Sequence, residues 1–259
     1  MTGVGDGTLL DAVNRHRQHT AFQTSTIGAL LGGLDDGDLT VTELLRHGDF
    51  GVGTFSALDG EMVVLDGRCY QLRSDGRAAV APPEATTPYA IVTSFAADST
   101  FGLPSGTALN RDQLTEMIES RLPGDNYFYA IRVDGQATSI TSRTVRRQTK
   151  PYPGLLEASS GQREQTYTEL AATIVGFRSP DYTGTIAVPG YHLHFVDDAR
   201  RRGGHVLDFV MSGGQVHVSV IEQLRLRLPS SSEFATGELN RPRDSAAIAA
   251  AEGARSDSR

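Results

Sequence analysis

The chain has 259 residues and a formal net charge of −7 at pH 7. That length suits one large domain or two modest ones, and the acidic balance argues against nucleic acid as the main partner because phosphate recognition needs a concentrated basic surface. With Cys69 as its single cysteine, the chain can form no internal disulfide.

The first part of the chain reads as short strands with two helices. Thr40 followed by Glu43 forms a capping box, which predicts a helix over residues 41–47. Asp66-Gly67 lies between apolar runs and predicts a two-residue hairpin. Asn110 can cap a second helix that runs to about Arg121, because apolar residues follow it at helical spacing. The strand candidates here are residues 49–55, 61–65, 68–72 and 89–95.

The second part of the chain is dominated by strands. Asp134-Gly135 predicts another two-residue hairpin, between strands at 127–133 and 136–145. Residues 146–165 are rich in proline, serine and glycine, which indicates a connector. Further strands are predicted at 170–178, 185–196, 205–211 and 215–221. The polar tail that starts at Pro229 contains one alanine-rich helical segment, residues 245–252.

Many short strands, few helices and Asp-Gly turns predict an α+β fold with mixed or antiparallel sheets. We expect an N-terminal α+β domain over residues 1–150 and a β-rich C-terminal domain over residues 151–259. Two segments also read alike, since Glu61 and His205 each follow a glycine and precede an apolar strand, a glycine turn and another strand. If the match reflects an internal duplication, both side chains face one cleft between the halves. A chance similarity of two hairpins explains the match equally well.

The strongest local indication of a metal site is the segment Tyr191-His192-Leu193-His194-Phe195. On a strand, alternate side chains share a face, so His192 and His194 can converge on one ion. The following loop contains Gly203-Gly204, and a hairpin there would set His205 beside His194 across the ladder. Three imidazoles with open coordination positions are typical of catalytic zinc sites.

This histidine pattern leaves the reaction open. A cupin-like oxygenase or isomerase would show similar spacing. A non-catalytic module that binds a small molecule is also compatible with it. Imidazole ligands suit zinc, but they also suit copper, iron and nickel.

Several stretches of the chain, spread over about residues 22–253, resemble the alpha-acetolactate decarboxylase family. They occur in the family's order, which makes coincidence a poor explanation. The stretches include QTSTIGALL at 23–31, LLRHGDFGVGTF at 44–55, LDGEM at 58–62, GFRSPDY at 176–182, GYHLHF at 190–195 and GGHVLD at 203–208.

The resemblance implies a two-domain α+β fold with a central Zn²⁺ site held by His192, His194 and His205. It also implies conversion of (S)-2-acetolactate to (R)-acetoin and CO₂, a step of acetoin and butanediol formation. One methylene changes binding by only about 1–3 kcal/mol, so 2-aceto-2-hydroxybutyrate is a second expected substrate.

The family's other active-site residues fall on Glu61, on Arg143 and, in the tail, on Glu252, with Glu233 and Glu238 as rivals for the tail position. One departure is visible, because Arg146 stands where the family usually has proline. It leaves open which arginine faces the cleft.

Loss of CO₂ from a 3-keto acid leaves an electron pair that must pass into the ketone as an enediolate. A divalent cation can stabilise that charge, Arg143 can hold the substrate carboxylate in its planar fork, and Glu61 is the first candidate proton donor.

The family resemblance further predicts a homodimer. No signal peptide or stretch of ~20 apolar residues is present, so we expect a cytoplasmic protein without membrane contact.

Overall fold

The computed structural model describes residues 19–104, 106–237 and 239. These residues form two large sheets and a few short helices, so the α+β prediction is confirmed. No helix in the described ranges is long and apolar enough to cross a membrane.

The first large sheet has seven strands and is built mainly from the N-terminal part of the chain. Its strands are β1 (Thr20–Thr24), β3 (Phe50–Thr54), β4 (Glu61–Leu65), β5 (Arg68–Leu72), β6 (Ala78–Val80), β8 (Ala90–Thr93) and β15 (Gln223–Arg227). They lie in the order β15-β1-β8-β3-β4-β5-β6. The β1–β15 pair is parallel and the others are antiparallel. A small separate ladder joins β2 (Leu39–Thr40) and β7 (Thr86–Thr87).

The second sheet contains the longest strands of the described chain. Its members are β9 (Ser99–Gly102), β10 (Leu109–Asn110), β11 (Phe128–Thr144), β12 (Arg163–Ser179), β13 (Gly190–Asp197) and β14 (Gly203–Ile221). Because β14 pairs with both β11 and β13, the sheet curls back on itself. Along the chain, the strands up to β8 do not belong to the second sheet, β9 to β14 form it, and β15 belongs to the first sheet again. The domain division at residue 150 stays a prediction.

The helices are short, and two of them, those that follow Thr40 and Asn110, begin where the capping signals predict. They are α1 (Ile27–Leu31), α2 (Val41–Leu44), α3 (Arg111–Glu119), α4 (Leu155–Ser160) and α5 (Ser232–Thr236). Thr40 and Glu43 form the capping box of α2, and Asn110 forms one with Gln113 at the start of α3. The hairpin at Asp66-Gly67 is also confirmed, since both residues have positive φ angles (51° and 75°), as a tight primed turn requires.

The second predicted hairpin, at Asp134-Gly135, is wrong. Strand β11 runs through both residues without turning, and Gly135 lies opposite Gly214 of β14. A Cβ on Gly135 would meet the carbonyl oxygen of Gly213 at 2.1 Å. The glycine is therefore needed for a close approach of two backbones, which is its other common use in strands.

The predicted break between strands 205–211 and 215–221 is wrong for the same reason. Strand β14 continues through Gly213 and Gly214, which face β11 across the ladder. The Glu61 segment is a hairpin, whereas the His205 segment is part of one long strand. This difference removes the hairpin pair on which the idea of a duplication rested.

The two sheets pack face to face through a shared apolar core. Phe50 and Val63 from the first sheet join Val175, Phe177 and Val196 from the second in one buried cluster. The rings of Phe50 and Phe177 lie 6.2 Å apart, edge to face. This packing sets the start of β4 beside β13, so residues of both sheets reach a common cleft.

Candidate active site

Strand β13 supplies two buried imidazoles on one face. His192 and His194 have relative exposures of 8% and 0%. Their neighbours Leu193 and Phe195 point the other way, into the core of the second sheet. The alternation expected of a strand therefore separates a polar face toward the cleft from an apolar face toward the core.

His205 of β14 completes a group of three rings. It lies directly opposite His194 in the β13–β14 register. The ring centroids are 4.9 to 5.4 Å apart, and one nitrogen from each ring lies within 4.8 Å of the others. The Nε2 atoms of His192 and His194 are 3.2 Å apart. Two nitrogens bound to one tetrahedral zinc at about 2.0–2.1 Å lie about 3.4 Å from each other, so the spacing fits one ion.

The pKa shifts of His192 and His194 also suit a metal site. Burial, with the charge of Arg143, lowers the pKa of His192 to about 3. Burial, followed by the neighbouring His192, holds the pKa of His194 well below its usual value. The Nδ1–H of His194 donates to the Met62 carbonyl at 2.8 Å, which leaves Nε2 as the lone-pair atom. Such a hydrogen bond fixes the tautomer that a ligating histidine needs.

Glu61 is brought to this group by the first sheet. It is the first residue of β4, and the next residue, Met62, carries the carbonyl that binds His194. Glu61 Oε2 lies 3.7 Å from His194 Nε2, and the Glu61 side chain is 13% exposed. The carboxylate is therefore close to the position where an ion or a reacting molecule would lie.

Arg143 reaches the same group from β11. It lies opposite His205 in the β11–β14 register and is 6% exposed. Its Nη1 donates to Gln162 Oε1 at 3.0 Å. Arg146 is exposed and lies on the connector, so Arg143 is the arginine that faces the cleft.

Four of these side chains, Glu61, Arg143, His192 and His205, line one cleft. Its polar wall contains Thr54, Glu61, Arg143, Ser159, His192 and His205. Its apolar wall contains Ile27, Leu30, Leu58, Tyr89, Val145 and Leu155, which come partly from α1 and α4. A small molecule with several oxygens on one side and methyl groups on the other would match this division.

The tail glutamates are only partly covered by the structure. Glu252 and Glu238 lie outside the described residues. Glu233 is exposed on α5 and lines a different cavity, with Asp36 and Lys150. At the last described residue, Leu239, the carbonyl lies 3.6 Å from where a Cβ on Gly28 would be, so Leu239 lies beside α1, one wall of the cleft.

Sequence reasoning missed Thr54 in the polar wall of the cleft, and it also missed two residues near the end of α4. Ser159 lines the cleft, and Gln162 holds Arg143. Both lie in a Ser- and Gly-containing stretch whose composition indicates only a connector. No local pattern distinguishes the end of α4 from any polar connector.

Known proteins of one family are similar to this chain over most of its length. The sequence profile of the alpha-acetolactate decarboxylase family matches residues 21–241. An alpha-acetolactate decarboxylase of Methylococcus capsulatus is 48% identical over 231 residues, which cover 89% of this chain and 88% of that protein. One of Klebsiella aerogenes is 40% identical over 247 residues, covering 95% and 94% respectively.

A solved structure of the same family has a similar fold. The crystal structure of alpha-acetolactate decarboxylase from Bacillus subtilis strain 168 has a TM-score of 0.88 and 40% identity to this chain, covering 90% of this chain and 99% of that one. This extent of agreement favours a decarboxylase over a cupin-like enzyme or a non-catalytic module. The chain belongs to the alpha-acetolactate decarboxylase family.

Proposed function

We propose that the chain converts (S)-2-acetolactate to (R)-acetoin and CO₂, and that 2-aceto-2-hydroxybutyrate is a second substrate. The proposal follows the activity for which the relatives are named. One observation carries the assignment to this site. Three buried imidazoles converge in a cleft that also holds a carboxylate and a guanidinium.

The donor set fits a divalent cation. His192, His194 and His205 are buried, and the pKa shifts of His192 and His194 favour neutral rings. We propose Zn²⁺ as the ion, held by these three residues with other coordination positions open, as in catalytic zinc sites. When bound, such a cation supplies Lewis-acid stabilisation of negative charge on substrate oxygens.

Arg143 holds the substrate carboxylate in our proposal. Its planar fork matches a carboxylate in two parallel hydrogen bonds. Decarboxylation breaks the bond between the carboxylate carbon and C2, and the electron pair moves into the neighbouring ketone. That bond must stand out of the plane of the forming enediolate, so Arg143 acts by orienting the carboxylate. The apolar wall of the cleft receives the two methyl groups.

Glu61 then supplies the proton that completes the product. Its carboxyl group transfers a proton to C2 of the enediolate, which gives acetoin, and the carboxylate regains a proton from water. A carboxyl group positioned on one side of the planar enediolate would set a single configuration at that carbon.

The direct test is incubation of purified, metal-analysed protein with racemic acetolactate. We expect acetoin and CO₂ in equal amounts and no consumption of O₂. A metal-replete protein that forms no acetoin would contradict the proposed function. Oxygen uptake without acetoin would instead favour a cupin-like oxygenase.

Replacing Arg143 by Lys should weaken substrate binding, because lysine keeps the charge but loses the fork. A hydrogen bond to a charged group contributes about 1.5–3 kcal/mol, which corresponds to a loss of about 10- to 100-fold in kcat/KM. Steady-state kinetics at fixed metal content measures this effect. Arg146→Lys is the matched control and should behave as the unaltered protein. An Arg143→Lys variant with unchanged kcat/KM would remove Arg143 from the carboxylate site.

We also propose that Glu252 of the tail acts at this cleft. Deleting residues 246–259 removes Glu252 but keeps Glu233 and Glu238. We expect a loss in turnover of about 10-fold or more, in line with removal of an acid–base group. Glu252→Gln should reproduce the loss, whereas Glu233→Gln should not. Full activity of the truncated protein would show that the tail is not part of the site.

A further inference from the structure

Among the residues that the structure describes, Gln162 anchors the guanidinium of Arg143 from one side. Its Nη1 donates to Gln162 Oε1 at 3.0 Å. Because a guanidinium can only donate, the amide oxygen of Gln162 must face it. The amide nitrogen of Gln162 in turn donates to Glu164 Oε1 at 3.1 Å. The chain from Glu164 through Gln162 therefore fixes the orientation of Arg143.

This anchor leaves the other edge of the guanidinium available for a ligand. The Nε of Arg143 is buried and makes no hydrogen bond to any residue that the structure describes. Nε and Nη2 form the side-on pair of donors, while Gln162 occupies Nη1. An anion in the cleft can accept two parallel hydrogen bonds from that pair, the geometry that arginine forms with carboxylates.

The end of α4, just before Gln162, brings a hydroxyl to the cleft. Ser159 Oγ is buried, lines the cleft with Arg143, and has no hydrogen-bond partner within the described part of the chain. The backbone N–H of Gln162 donates to the Ser159 carbonyl at 3.0 Å, which ties the two residues together. A buried hydroxyl without a partner is costly, and a ligand oxygen in the cleft would satisfy it.

We propose that Ser159 and Gln162 complete the subsite that binds the substrate carboxylate. Gln162 is a positioning residue that holds Arg143 so that Nε and Nη2 face the cleft. Ser159 touches the substrate, since its hydroxyl donates a third hydrogen bond to the carboxylate. The ligand class is a small 2-hydroxy carboxylate, and the inference rests on the proposed function of Arg143.

The chemistry predicts which kinetic constant these residues control. The carboxylate carries its charge in the bound substrate and loses that charge as CO₂ forms. Hydrogen bonds to it are therefore at least as strong in the ground state as in the transition state. Removing such a contact raises KM with little change in kcat.

The test compares Ser159→Ala and Gln162→Leu with two matched controls outside the cleft lining, Ser212→Ala and Gln215→Leu, both at exposed positions. Two competitive inhibitors separate the subsites. The anion 2-hydroxy-2-methylpropanoate has the carboxylate, and butane-2,3-diol lacks it. We expect both cleft variants to bind the anion about 10-fold more weakly, as the loss of one hydrogen bond to a charged group predicts. Diol binding, metal content and kcat should stay within about threefold of the controls, a range that corresponds to less than 1 kcal/mol.

The conservative variant Ser159→Thr keeps the hydroxyl and should restore binding of the anion. The proposal is overturned if Ser159→Ala and Gln162→Leu bind the anion as the controls do while Arg143→Lys does not. If Arg143→Lys also binds the anion normally, the proposed function of Arg143 fails instead. Equal weakening of anion and diol binding would show a merely structural role and would also overturn the proposal.

Discussion

His194→Ala is expected to remove the bound divalent ion and the decarboxylase activity together. His194 is the most buried of the three rings, with a relative exposure of 0%, and its Nδ1–H is held by the Met62 carbonyl. Two remaining imidazoles would leave an ion held by too few ligands. Lewis-acid stabilisation contributes several kcal/mol, so we expect a loss of about 10³-fold or more in kcat. Metal content per chain and turnover, measured on the same sample, test this prediction.

The control for this change is His217→Ala. His217 lies on β14 but contacts Thr100 and Asp134 away from the cleft, and the variant should keep both metal and activity. Because His194 is buried, His194→Gln serves as a second variant with a polar side chain of similar size. Comparison of its thermal unfolding with that of the metal-free parent separates loss of the ion from loss of the fold. A fully active, metal-replete His194→Ala protein would refute the ligand assignment.

The proximity of the three histidines could be predicted because their arrangement is local. His192 and His194 share a face through the two-residue period of a strand, and Gly203-Gly204 indicates the return toward His205. The β13–β14 register sets His205 opposite His194, as the hairpin predicts. The roles of these residues, the zinc ion, the homodimer and the cytoplasmic location stay predictions.

Arg143 shows what a local pattern cannot predict. It is far from His205 in sequence, and the two are neighbours only because β11 pairs with β14. Nothing in the composition of β11 indicates that partner. Only the family resemblance singled out this arginine, and the resemblance gives no account of Gln162, which holds it.

The two Asp-Gly dipeptides make the same point about the fold. Asp66-Gly67 forms the expected turn, with both φ angles positive. Asp134-Gly135 remains in a strand, where the Asp134 carboxylate accepts hydrogen bonds from Arg132 and Thr173. Gly135 packs against the backbone of Gly213 and Gly214. The long-range strand pairing overrides the local turn preference, and a sequence window does not contain the partner strand.

Glu61→Gln is expected to keep the metal but to lower turnover by about 10²–10⁴-fold, the usual contribution of a general acid. Glutamine has nearly the same shape as glutamate, so the cleft should not rearrange. Glutamine has no carboxylic proton to donate, however, so the enediolate is protonated more slowly, by water. Turnover and metal content measure the two parts of this prediction. Glu116→Gln, at an exposed position of α3, is the control and should show neither effect.

The product of the Glu61→Gln variant distinguishes a proton donor from a residue that only supports the metal. Glu61 lies 3.7 Å from His194 Nε2, so a supporting role is the competing explanation. If Glu61 protonates one face of the enediolate, the slow residual reaction of the variant should give acetoin of reduced enantiomeric purity, because water can approach either face. If Glu61 instead stabilises the ion, the variant should lose metal and make little product, with its configuration unchanged. Unaltered turnover would exclude both roles, since a neutral amide neither donates the proton nor balances the charge of the cation.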